Sequence, residues 1–328
     1  MIRSSMKCVL AVLTYGFLAA INQPSYAGGA PEPLTMTYIR SNADYWDVDV
    51  AEAKGFFADE GFAPEYVSNS GSVQSTQLLL TNSVQLAITQ PEALIAAIAR
   101  GSKNLAGIAA PMERVDWMLV GQKGLNIQDL KGKTIGFSGL RVTEFWLTQR
   151  ALQESGLDPK SYDSIQIGTT PAKYSALTNG SVAAVLLFQP TASQAVHAGY
   201  SRLFDLGKYD RYIPGIYMVN RVWAAQNDHG VRLARALQRA HEWLYDPKNR
   251  EEAIAILKKL SKSSDAALAE VYDIFFVNEK SYTPEGQVDV NSINQAIQTL
   301  VDHSELDSSK APTLDQILLP AALGGLRK

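Results

Sequence analysis

The sequence predicts an α/β protein of two similar lobes, with a helical segment at the end of the chain. Three observations carry this. Residues 62–101, FAPEYVSNSGSVQSTQLLLTNSVQLAITQPEALIAAIARG, read as two consecutive strand–loop–helix units. Residues 134–206 repeat the strand–loop–helix logic of residues 34–109. From Gly230 onward the pattern is helical, with four apolar faces that need a surface to bury against.

The elements follow in order. Residues 34–39 (LTMTYI) form a first strand, and residues 40–47 a loop. Residues 48–57 read as a helix that ends before Gly61. Residues 62–67 are a buried strand, and the Ser/Asn/Gly cluster at 68–72 breaks the pattern before a helix at 73–81. Serines there can cap that helix, and Gly71 permits close backbone approach, although a plain polar turn accounts for the same residues. Residues 86–88 are a second buried strand. Pro91 suits the first turn of the next helix, which Leu94, Ile95, Ile98 and Ala99 stripe and Gly101 ends. Strands follow at 105–109 and 116–120. In the second half, strands at 134–137, 164–167, 182–188 and 201–206 alternate with helices at 143–155, 172–178 and 192–198. A strand at 217–220 (YMVN) can return the chain to the first lobe, where the later helices (Leu233 with Leu237, Leu257 with Leu260, Leu268 with Val271, Ile293 with Ile297) find a surface.

Residues 1–27 read as a removable export signal. Arg3 and Lys7 precede an apolar run from 8 to 21 that is short for a membrane span, and Ser25-Tyr26-Ala27 is a small-x-small cleavage site. The single cysteine, Cys8, lies inside the signal. The processed chain of 328 − 27 = 301 residues is thus expected to lack thiols and disulfides and to hold two domains. Loss of two positive charges takes the net charge from −3 to about −5, without a block of like charge. Nucleic acid and anionic membrane surfaces are therefore not expected partners, and the expected location is the periplasm. The four histidines, His197, His229, His241 and His303, share no metal-ligand spacing, no G-x-S-x-G elbow is present, and no cofactor or metal is expected. Gly132-Lys133-Thr134 mimics the end of a phosphate loop, but Ile127 stands where a glycine is required.

Several ordered pieces resemble the substrate-binding proteins of ABC importers for nitrate, sulfonates, taurine and thiamine pyrimidine precursors. They are AEAKGFFADEGFAPEYV at 51–67, SGS at 70–72, TNSVQLAITQPEALIAAIARG at 81–101, DLKGKTIGFSG at 129–139, ALTNGSVAAVLLFQP at 176–190 and GYSRLFDLG at 199–207. The resemblance covers most of residues 34–222. It implies a two-lobed periplasmic binding protein fold, type II-like, with two chain crossings near Gly121 and near residues 214–217. Lobe 1 would comprise residues 28–120 and 217–328, with the C-terminal helical segment packed on it. Lobe 2 would comprise residues 121–216. Closure would trap a ligand between the lobes and present a surface to a membrane permease.

By that topology the cleft is lined by strand-exit loops at 41–46, 70–72, 90–92, 138–141, 169–170 and 189. The candidate ligand contacts are Asp44, Tyr45, Trp46, Ser70, Ser72, Gln90, Glu92, Ser138, Arg141 and Gln189. Of Tyr45 and Trp46, one stacks on a flat ligand, or one plugs the lobe and the other covers it. Asp44 accepts from a ligand amine or caps a helix. Arg141 clamps an anionic group or is a solvated charge. Gln189 bonds a ligand of either polarity or makes a plain turn before Pro190. Trp117 reads as hinge core. The expected function is a monomeric solute receptor that captures a small organic molecule, aromatic or heterocyclic with an anionic group, and hands it to an ABC permease. An enzyme on the same scaffold, or a ligand-sensing module for a receptor kinase, are the alternatives. A chain without cysteine after processing disfavours a thiol-based enzyme.

Overall fold

Among the described residues, ten strands fall into two five-stranded sheets. The computed structural model describes residues 30–38, 42–68, 71–208 and 212–323, so the expected export signal and Ser70 lie outside the described residues. In chain order the first lobe holds β1 (Glu32–Thr37), α1 (Trp46–Ala53), α2 (Phe56–Asp59), β2 (Phe62–Val67), α3 (Ser72–Leu80), β3 (Leu86–Thr89), α4 (Pro91–Ala99) and β4 (Leu105–Ala109). The second holds β5 (Met118–Gly121), β6 (Thr134–Phe137), α5 (Thr143–Glu154), β7 (Asp163–Gln166), α6 (Thr170–Thr178), β8 (Ala184–Leu187), α7 (Thr191–His197) and β9 (Ser201–Asp205). The chain then returns through β10 (Ile216–Asn220) to α8 (Arg221–Ala225), α9 (His229–Tyr245), α10 (Arg250–Leu260), α11 (Asp265–Tyr272), α12 (Val290–Asp302) and α13 (Leu314–Ile317).

The two sheets share one plan. The first runs β2-β1-β3-β10-β4 and the second β7-β6-β8-β5-β9. In each, the first three strands are parallel, and the fourth is antiparallel to both its neighbours. That antiparallel strand is the one on which the chain arrives from the other lobe. This corrects the lobe boundary expected at residue 120. Residues 118–120 belong to the second sheet, because Met118, Leu119 and Val120 pair with Leu187, Leu186 and Val185. The first crossing therefore lies between Ala109 and Met118, and the second between Asp205 and Ile216. They meet where Trp117, fully buried, sets its ring edge-on to Tyr212 at 5.9 Å between centroids.

The inner parallel strands β3, β6 and β8 are apolar on both sides because helices cover both faces. Leu86, Ala87, Ile135, Phe137, Val185 and Leu186 are all buried. The C-terminal helices pack on the first lobe, as expected: α9 lies on α1 and α2, α10 on α1, and α12 on α4. No helix among the described residues is long and apolar enough to cross a membrane.

Candidate functional site

Loops at the carboxyl ends of the strands of both sheets face one another across a cleft of about 460 Å³, within the size range of small-molecule sites. The first lobe contributes Tyr38, Asn42, Tyr45, Ser72, Thr89 and Gln90. The second contributes Ser138, Leu140, Arg141, Val142, Thr169 and Phe188. Each side chain owes its place to a strand that stops and a helix that starts. α4, α5 and α6 are preceded by Gln90, Val142 and Thr169, all of which line the cleft and make no side-chain cap. Their first N–H groups thus add partial positive charge at the cleft rim. Gly71, ahead of α3, has φ +141° and ψ −176°, a conformation that favours glycine. Ser72 Oγ accepts from the backbone N–H of Gln90 at 3.2 Å and ties the two first-lobe loops together.

Five sequence-predicted contacts do line the cleft: Tyr45, Ser72, Gln90, Ser138 and Arg141. Tyr45 stands edge-on to Tyr38 at 6.5 Å, and a Cβ at Gly215 would come within 3.0 Å of its ring. Arg141 is bound at Nε to Glu305 Oε1 at 2.9 Å, on the surface, with its side chain 80% exposed. Among the described lining residues it is the one charged side chain.

Four others lie behind the wall. Trp46 is fully buried between Tyr272 and Phe276, at centroid distances of 5.9 and 5.8 Å, and its Nε1–H donates to the Ala253 carbonyl at 3.1 Å. It plugs the lobe, and Tyr45 beside it faces the cleft. Asp44 is buried beneath Asn42. Burial raises its pKa to about 7, opposed by Asn42, Trp117 and Lys173. Glu92 does not face the ligand space either. Its Oε1 accepts from the hydroxyls of Thr143 and Tyr212, bridging the lobes, and burial raises its pKa. Gln189 folds back, its Oε1 accepting from Ser193 N–H at 3.1 Å, while its carbonyl takes the Ala43 N–H at 2.9 Å across the lobes.

The residues that sequence reasoning missed are Tyr38 and Phe188, assigned to strands, and Lys173, which reads as an ordinary helix lysine. Lys173 is fully buried. Its Nζ donates to Ser138 Oγ at 2.8 Å and lies 4.4 Å from the Phe188 ring centroid. Burial lowers its pKa, and the charges of Glu144 and Asp44 act the other way. One signal was available: a lysine in the first turn of a helix, where the backbone dipole disfavours a cation.

The NMT1/THI5 like family pattern matches residues 42–250. The chain belongs to that family. It is similar to YtlA of Bacillus subtilis (strain 168), named as a binding protein, at 25% identity over 316 residues covering 92% of this chain and 91% of that one. Among solved structures, the alkanesulfonate-binding protein SsuA from Xanthomonas axonopodis pv. citri, bound to MOPS, superposes with TM-score 0.69 at 18% identity, covering 90% of this chain and 99% of that chain. The periplasmic nitrate-binding protein NrtA from Synechocystis PCC 6803 gives TM-score 0.73 at 15% identity, covering 91% of this chain and 89% of that chain. At these identities the structures establish the shared two-lobed fold. No cluster of three or more potential metal-ligating side chains occurs among the described residues.

Proposed function

We propose that this family member is an extracytoplasmic solute receptor. It captures a small organic ligand between its lobes and delivers it to an ABC permease, making and breaking no bond. The observation that carries this reading is the cleft itself, lined from both lobes by Tyr38, Tyr45, Leu140 and Phe188 alongside amides and hydroxyls. Aromatic walls with a few fixed polar groups suit a flat or partly apolar ligand. The relatives point the same way, since they are named for binding. The exported, monomeric state belongs to the same proposal.

Thermal unfolding of the processed chain against sulfonates, aromatic carboxylates, pyrimidines and nitrate tests it. A ligand at about 100 times its Kd stabilises by roughly 2.7 kcal/mol, or several degrees for a chain of this size. The expected result is a shift with the compound recovered intact. A shift with the compound consumed would point to an enzyme instead.

A further inference from the structure

Behind the second-lobe wall of the cleft sits a buried cation that touches the wall at two points. Lys173 reaches Ser138 Oγ at 2.8 Å and the face of Phe188 at 4.4 Å, and both residues line the cleft. The serine hydroxyl has one hydrogen and two lone pairs. Lys173 can only donate, so it occupies one lone pair, and Ser138 forms no other side-chain hydrogen bond among the described residues. The backbone N–H of Ser138 is already given to Glu144 Oε1 at 2.7 Å. The hydroxyl hydrogen is thus left for the cleft, and the ammonium behind it polarises the O–H. The start of α6, from whose first turn Lys173 projects, adds positive potential on the same side. The carboxylates nearby, Asp44, Glu92 and Glu144, are buried, and none lines the cleft.

We propose that Lys173 is the specificity-setting charge of this site: it fixes Ser138 as a donor toward the ligand, so that the second lobe selects a carboxylate or sulfonate head group over the corresponding uncharged amide. Lys173 is a positioning residue, acting through Ser138. The inference rests on the receptor reading above and deepens it. Phe188 and Leu140, on the same wall, receive the apolar body of such an acid.

The test is the acid-to-amide affinity ratio, measured by calorimetric titration with benzoate against benzamide and benzenesulfonate against benzenesulfonamide. Loss of shape in a damaged site lowers both affinities; loss of the charge lowers only the acid's. The wild-type chain is expected to favour the acid by about tenfold or more, the margin of a charge-assisted over a neutral hydrogen bond. Ser138→Ala should remove most of that preference. Lys173→Met leaves Glu144 buried without its cation, so the variant to compare is Lys173→Met with Glu144→Gln, which removes both charges together. It should melt cooperatively and bind acid and amide within about twofold of each other. An unchanged ratio in the paired variant overturns the inference. So does a wild-type chain that favours the amide, or that binds none of the four compounds. In that last case, a melting shift with a pyrimidine or with nitrate would leave the receptor reading standing.

Discussion

Asp44 and Asp116 are buried carboxyls near the first crossing, and burial pushes both above the ordinary carboxylate range, with the charge of Glu144 adding to the rise at Asp44 and that of Asp44 to the rise at Asp116. Asp44 titrates at about 7, against an ordinary 3.8. Between those values the folded chain holds a proton that the unfolded chain has released. Asp44's contribution to stability is therefore complete below about 3.8 and is lost as pH rises through about 7. Asparagine keeps the neutral shape without titrating. Asp44→Asn should thus gain in melting temperature relative to the wild type as pH rises from 4 toward 7, by at most about 1.4 kcal/mol per pH unit. Melting curves of both chains across that range decide it; curves that stay parallel would show that Asp44 is ionised throughout. The buried Asp47 is held differently. Its two oxygens take the Tyr217 hydroxyl at 2.6 Å and His241 Nε2 at 2.7 Å, so both are satisfied, whereas neither oxygen of Asp116 has a hydrogen-bond partner.

At the scale of an element, α1 shows how adjacent aromatics divide their work. Trp46 opens the helix and points into the first-lobe core with Val50 one turn later, while Tyr45 turns to the cleft. Trp46→Ala should cost about 3–5 kcal/mol, or roughly 10 °C of melting temperature, and leave ligand affinity in the surviving folded fraction unchanged. Melting and titration of the same preparation separate the two effects; lost affinity with unchanged melting would return Trp46 to the ligand. The i, i+4 spacing of Trp46 and Val50 was readable as a buried stripe, and it was missed because the helix was expected to start at residue 48. Where strand and helix periods switch cleanly, the elements were legible. Residues 62–67, 105–109 and 134–137 match β2, β4 and β6 end to end. Burial of polar groups was not legible, because Asp44, Glu92 and Lys173 are residue types that normally face water. Only the partners brought by folding keep them inside.

At the scale of the whole molecule, the two lobes are related by their order of strands, and that relation fixes the boundary between them. β5 and β10 are equivalents: each is the arriving strand, antiparallel between the third and last strands of its sheet. A fully buried strand reads alike in either sheet, so Met118–Gly121 carried no local sign of its partner. Repetition between lobes was the only clue, and recognising residues 217–220 as the returning strand implied it. The lobes are tied at several points. Ser263 Oγ reaches Gln194 Oε1 at 3.0 Å, His197 pairs with Glu270 at 3.1 Å, and the Trp146 ring stacks on His303 at 4.3 Å. The His197–Glu270 pair is at the surface, where such pairs contribute little. The Glu92–Thr143–Tyr212 bridge is buried at the crossings, so it is the tie whose loss should be felt. Thr143 does not line the cleft, and Thr143→Val keeps its shape while removing the hydroxyl that Glu92 accepts. A net loss of about 1–1.5 kcal/mol from the closed form lowers the fraction competent to hold ligand. Apparent affinity then falls by about five- to tenfold with no ligand contact altered. X-ray scattering of the unliganded variant should show a larger radius of gyration than the wild type, and saturating ligand should bring the two together. Equal affinity and equal size would mean that the bridge holds local structure only, and that closure is set by the ligand and the crossings themselves.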